Sequence, residues 1–242
     1  MNVSAGSPSF RTTRWSVVRR AVGPDDAEAL SALSVICQAY WYPIYAFIRR
    51  SGKNPHDAED LTQDFFTRLV KQAVLASADP GKGRLRSFLL TCVRHFLADA
   101  HDRASAKKRG ASILMSFDAA AAEQRYIAEP ADQLTPDRLF QRRWALALLG
   151  ETLRLLRQEW VAAGKEALFI ELRPFLGLDK TAAKSYEQLT AELGIPAGTL
   201  KSHVFRLRER WRELLLSQVA ATLDDPTPEE VRGELSELLD CV

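Results

Sequence analysis

Ser185-Tyr186-Glu187-Gln188-Leu189-Thr190-Ala191-Glu192-Leu193-Gly194-Ile195-Pro196-Ala197-Gly198-Thr199-Leu200-Lys201-Ser202-His203 is the stretch on which the fold turns. Leu189 and Leu193 sit four apart and give a short helix an apolar face. Gly194 suits the left-handed backbone that ends a helix, and Pro196 prevents the helix from continuing. Ile195, between them, can plug a small core. A second helix then starts near Gly198 or Thr199. At about 100° per residue, Leu200, Val204, Leu207, Trp211 and Leu214 share one face. Thr199, Ser202, His203, Arg206 and Arg210 fall on the other side, flanked by Lys201, Arg208 and Arg212. One face anchors such a helix while the opposite face offers donors to phosphates and base edges in a major groove. An amphipathic helix with a solvated basic face has the same wheel. The Leu193-Gly194-Ile195-Pro196 turn before it favours a helix-turn-helix that binds DNA. Phe205 lies off the apolar face and is expected to pack on the neighbouring helix.

Beyond this stretch, nearly every periodic segment reads as helix, and no run of alternating β-branched residues appears. A first helix is expected from Asp25 to about Arg50, rich in aromatics, with Pro43 kinking or dividing it. Asn54 then caps a second helix with Pro55 in its first position, running to about Lys71. A third runs from Leu85 to about Arg103. Between Ala104 and Thr135 large apolar residues thin out, which reads as a partly ordered linker. Helices resume from Pro136 to about Trp160 and from Lys165 to Leu176. A last one starts at the capping-box sequence Thr227-Pro228-Glu229-Glu230. The expected fold is all-α, with two helical domains joined by a linker. Its divisions are an N-terminal extension at 1–24, a helix bundle at 25–103, the linker at 104–135, the helix-turn-helix domain at 136–220 and an acidic extension at 221–242.

The totals narrow the function. The chain has 242 residues and a formal net charge of +2. No apolar run is long enough to span a membrane, and the N-terminus lacks the order of a signal peptide, so a cytoplasmic protein without membrane insertion is expected. Cys37, Cys92 and Cys241 are far apart, and the four histidines lack ligand spacing, so no metal site or cofactor is expected. No phosphate loop or nucleophile elbow supports an enzyme, and no catalytic residue is assigned. The near balance of charge hides local bias. Arg84, Arg86, Arg94, Arg103, Lys107, Lys108 and Arg109 form one basic stretch, and Lys201 to Arg212 forms another. Two basic stretches suggest two contacts with a polyanion. The tail after Thr222 is acidic.

The second helix contains Asp57-Ala58-Glu59-Asp60-Leu61-Thr62-Gln63-Asp64-Phe65-Phe66. Ala58, Leu61, Phe65 and Leu69 make its buried face. Asp57, Asp60 and Asp64, with Gln63 beside them, make an acidic stripe, which is either a solvated face or a dock for a basic partner. This segment resembles the core-polymerase-binding helix of bacterial sigma-70 family factors. Arg84 to Arg103 resembles their minus-ten-recognition helix, and Ser185 to Leu215 their minus-thirty-five domain. Order and spacing are similar to the extracytoplasmic-function group, which retains a sigma2-like bundle and a sigma4-like helix-turn-helix domain.

The resemblance implies that Asp57, Asp60, Gln63 and Asp64 bind core RNA polymerase at the clamp of its largest subunit, with the flap as a second contact. It places Phe88, Arg94, His95, Asp99 and Arg103 at the minus-ten strand, and Thr199, Lys201, Ser202, His203, Arg206 and Arg210 at the minus-thirty-five element. Partners on this basis are core polymerase, promoter DNA and the anti-sigma protein usual for the family, with a monomer in the free state. Phe88 and His95 stand where the family usually carries Trp and Asn. The competing reading is a one-component regulator that binds duplex DNA without polymerase. The tail is expected either to fold onto the basic C-terminal domain and compete with DNA, or to extend that domain's core.

Overall fold

The computed structural model describes residues 15–22, 26–71, 74–79, 81, 84–103, 118–128, 134–178 and 183–242. Among these the fold is all-α: ten helices and no strand. The chain divides into two compact units, Met1–Leu148 with Val219–Val242, and Leu149–Gln218. In chain order the second unit is thus inserted into the first. Helix α6 (Pro136–Ala162) leads out of the first unit and α9 (Ala197–Ala220) leads back.

The first unit contains α1 (Trp15–Ala21), α2 (Asp26–Arg50), α3 (Pro55–Lys71), α4 (Leu85–Arg103), α5 (Ala119–Ile127) and α10 (Pro228–Leu239). Helix α2 passes through Pro43 without dividing. It buries Ile36, Tyr40, Ile44, Tyr45 and Ile48. Helix α3 begins as its sequence dictates. The Asn54 side-chain oxygen accepts the Asp57 backbone N–H at 2.8 Å, with Pro55 at the first helical position. Phe65 meets Phe66 and Phe96 edge-on, at centroid separations of 5.3 and 5.7 Å. Trp144 and Phe140 of α6 complete the core, and Phe140 stacks on Tyr40. Helix α5 falls inside the stretch read as linker. Asp118 caps it by accepting the Ala121 N–H.

The acidic tail does not do what its charge suggested. Helix α10 has the expected capping box: Thr227 Oγ1 accepts the Glu230 N–H, and Glu230 accepts the Thr227 N–H at 2.7 Å. Its partners, however, lie in the first unit, not in the helix-turn-helix domain. Glu234 is 1% exposed and ion-pairs with both Arg84 and Arg86 at the start of α4. Glu237 takes Arg84 as well, and Asp224 takes Arg19 at 2.9 Å. Val231 and Leu238 are buried on either side of Glu234. The tail is part of the first unit's core. A buried carboxylate needs a cation, and both basic stretches offered one; which of them it meets is decided by tertiary packing.

Arg86 is itself 5% exposed. It lies over the Trp144 ring at 5.0 Å and donates to Gln141 at 2.8 Å. Burial and the neighbouring Arg84 push its guanidinium down to about 10, so it stays charged at neutral pH. Removing Glu234 would strand that charge. Glu234→Ala should therefore destabilise the first unit by about 3–5 kcal/mol, while replacing both Arg86 and Glu234 with apolar side chains should recover most of that stability. Urea unfolding of the two variants checks this; equal destabilisation in both would show that the ion pair is not the source.

Candidate nucleic-acid interface

The second unit is built around α9. Leu200, Val204 and Leu207 form one buried cluster with Leu156, Phe169, Leu172 and Leu189. Trp211, Leu214 and Ile195 pack against it. The turn before α9 is assembled locally. Ser185 and Gln188 exchange hydrogen bonds of 3.2 and 2.9 Å at the start of α8 (Tyr186–Leu193). Gly194 ends α8 at φ +65° and returns its N–H to the Thr190 carbonyl at 3.0 Å. A side chain at that φ would be strained, which is why glycine stands there.

With its inner face fixed, α9 presents Thr199, Lys201, Ser202 and Arg206 to solvent. Ser202 donates to the Gly198 carbonyl one turn back. The Lys201 ammonium lies 5.8 Å from the Tyr186 ring centre. Arg206 and Arg212 make no hydrogen bond or ion pair among the described residues. Two other site residues are engaged by the unit itself. His203 is half-buried with its ring T-shaped to Trp160. Arg210 is held by Glu159 through two bonds of 2.8 and 2.7 Å and by Glu213 at 2.7 Å. Arg208, a flanking cation, donates twice to the Phe175 carbonyl. Phe205 corrects an expectation. It is 66% exposed and does not pack on a neighbouring helix. Its wheel position, opposite Leu200 and Leu207, already contained that answer.

In the first unit, α4 buries Leu85, Leu89, Val93 and Phe96 and leaves Arg94, His95 and Asp99 exposed. Phe88 is half-buried. Arg94 ion-pairs with Asp137, and Asp99 lies 3.8 Å from Arg68. The Arg103 side chain falls outside the described residues. On α3, Asp57, Asp60 and Asp64 are exposed in a row and Gln63 is half-buried. Neighbours on the same helix or its cap engage this row: Asn54 for Asp57, His56 at 3.2 Å for Asp60, and Glu59 for Gln63. Thr62, absent from the expected inner face, is fully buried and donates to the Ala58 carbonyl. Among the described residues no three His, Cys, Asp or Glu side chains converge on a metal site, and no helix is long and apolar enough to cross a membrane.

Residues 38–107, which contain the acidic row of α3 and all of α4, match sigma-70 region 2. This stretch of the chain is similar to region 2 of the sigma-70 family. The chain is similar to the ECF RNA polymerase sigma factor SigE of Mycolicibacterium smegmatis (strain ATCC 700084 / mc(2)155), with 25% identity over 197 residues. That likeness covers 81% of this chain and 66% of the relative, and it agrees with the extracytoplasmic-function group. No solved structure matches the chain. The region-2 match is confined to the first unit.

His203 gives the second unit a pH dependence. Burial lowers its pKa first, and the cations Lys165 and Arg206 lower it further. The unfolded chain, at about 6.5, then binds the proton more readily than the folded one. The stability contribution is complete above about 6.5 and is lost as pH falls below it. The melting temperature of the second unit, followed by Trp160 fluorescence, should fall over that window, and His203→Asn should flatten the fall. An identical slope in the variant would assign the effect to other groups.

Proposed function

We propose that this protein is a sigma factor that binds core RNA polymerase and directs it to promoters by reading minus-ten and minus-thirty-five elements. The observation that carries this reading is the exposed acidic row of α3 inside the sigma-70 region 2 segment. Asp57, Asp60 and Asp64 are three carboxylates that add nothing to the buried face of their own helix. A row of this kind complements a basic protein surface and steers its approach. Asp57, Asp60, Gln63 and Asp64 are thus assigned to core polymerase. Phe88, Arg94, His95, Asp99 and Arg103 on α4 are assigned to the minus-ten strand, where aromatic and cationic side chains suit unstacked bases and phosphates.

On α9, Thr199, Lys201, Ser202 and Arg206 are assigned to the minus-thirty-five element. They lie in the exposed first turns of a helix anchored by its other face, the placement that base reading needs. His203 and Arg210 lie on the same side but are braced by Trp160 and Glu159. Their assigned part is to orient α9 on the DNA, with Arg210 free to add a phosphate contact only when it leaves its carboxylates. The segment between α4 and α6, at 104–135, is the connector between the two DNA-reading domains.

Purified protein added to core polymerase should produce promoter-specific initiation. Asp60→Lys with Asp64→Lys should weaken core association by about tenfold or more, since each replaces attraction with like-charge repulsion. The helical circular dichroism should not change, because both side chains are exposed. Pull-down with core polymerase reads the first effect. Tight binding to a duplex palindrome with no polymerase association would instead support the one-component regulator.

A further inference from the structure

Arg206 and Arg210 stand one turn apart on the exposed side of α9, about 6 Å along the helix. The second unit treats them differently. Arg206 makes no hydrogen bond or ion pair among the described residues. Arg210 is wrapped by two carboxylates. Its Nε and Nη2 donate to the two oxygens of Glu159 on α6, at 2.8 and 2.7 Å, and its Nη1 donates to Glu213 at 2.7 Å. These bonds raise the pKa of Arg210 and lower that of Glu159, so both are charged at neutral pH.

Stability does not account for the arrangement. Leu156 of α6 already shares a buried cluster with Leu200, Val204 and Leu207 of α9, and Trp160 packs against that cluster. The Arg210 and Glu159 side chains are 45% and 42% exposed, and an ion pair in water at that level adds little net stability.

The geometry is that of a phosphate contact. A guanidinium meets a phosphate with the same paired N–H groups that it turns to a carboxylate. Glu159 fills the Nε and Nη2 fork with both of its oxygens, and Glu213 takes a further donor. A phosphate reaches that fork only by displacing Glu159. The displaced carboxylates then stand beside the phosphate as like charges, which opposes the exchange.

We propose that Glu159, with Glu213, acts as an internal substitute for DNA phosphate, holding Arg210 back from duplex DNA and keeping the affinity of α9 low. The proposal rests on the assignment of α9 to the minus-thirty-five duplex. The exposed first turns, with Lys201 and Arg206, remain open to DNA, while the Arg210 turn engages it by exchange of one anion for another. Removing the competitor frees a cation, so affinity and its salt dependence rise together.

The test is fluorescence anisotropy of the full-length protein with a short labelled random-sequence duplex over a series of salt concentrations. Glu159→Gln should tighten binding about threefold to tenfold and steepen the salt slope by about 0.9, the signature of one further phosphate neutralised. In an Arg210→Gln background the same change should produce neither gain. A gain of equal size in that background would overturn the proposal, because it would come from net charge and not from release of Arg210. Unchanged or weaker binding by Glu159→Gln would also overturn it, and weaker binding would make Glu159 a brace that positions Arg210 for phosphate. Glu213 is exposed, so Glu213→Gln should give a smaller gain of the same kind and keeps the test open if Glu159→Gln lowers stability. Lys201→Gln with Arg206→Gln is the control for α9 itself. Loss of affinity in that control without a Glu159 effect would count against this proposal alone. No loss in the control would overturn the assignment of α9 to duplex DNA, and the proposal with it.

Discussion

The interaction on which this architecture depends is the buried carboxylate of Glu234 between Arg84 and Arg86. It joins α10 to the first residues of α4 within one unit, although the two are separated in the chain by the whole of the other unit. Its neighbour Glu237 reaches the same Arg84 across 153 positions of sequence. Burying such a pair removes two charges from water, so the pair is not in itself a large source of net stability. It acts as a condition on the fold. Once Arg86 is buried against Trp144, a carboxylate must accompany it, and α10 supplies that carboxylate while Val231 and Leu238 bury the apolar surface around it.

The same constraint sorts the cations of the molecule. Thirty-three lysines and arginines against 31 acids suggest near neutrality, and local sequence suggests two basic stretches. The structure divides them differently. Arg84, Arg86, Arg94, Arg208 and Arg210 are engaged by carboxylates or carbonyls of their own unit. Lys201, Arg206 and Arg212 on α9 are exposed without an ion pair among the described residues. Charge density along the chain therefore overstates what α4 and the end of α9 can offer a polyanion.

What could be read from the sequence follows from the range of the interaction involved. The caps at Asn54 and Thr227 and the left-handed Gly194 are settled within four residues, and all of them were legible; the capping box at Ser185 is equally local and went unread. The inner face of α9 was legible because a helix period needs only the chain itself. Helix α5 was less so. Its Ala119-Ala120-Ala121-Ala122 start is a good helix former without an amphipathic face, and what holds it is Glu123 meeting Arg49 across 74 positions. The side of the molecule on which α10 lies, the capture of Arg210 by Glu159 and the burial of Thr62 are all tertiary in the same sense. Phe205 is a different case. Its position on the wheel was available, and a preference for burying aromatics overrode it.

Two acidic segments show why pattern alone does not assign a role. The row on α3 and the tail on α10 have similar charge spacing on amphipathic helices. On α10 the carboxylates carry out internal work: Glu234 is buried, Glu237 is paired, and Glu230 closes the cap. On α3 the inner face is already complete with Ala58, Thr62, Phe65, Phe66 and Leu69, and Asp57, Asp60 and Asp64 stand outside it. A carboxylate already consumed by its own fold has little to offer another molecule. On α3, Asp57 accepts from Asn54 and Asp60 pairs with His56, both within four residues, and the row lies outside its helix's core in the segment that matches sigma-70 region 2. Burial, more than charge, distinguishes the carboxylates of α10 from those of α3.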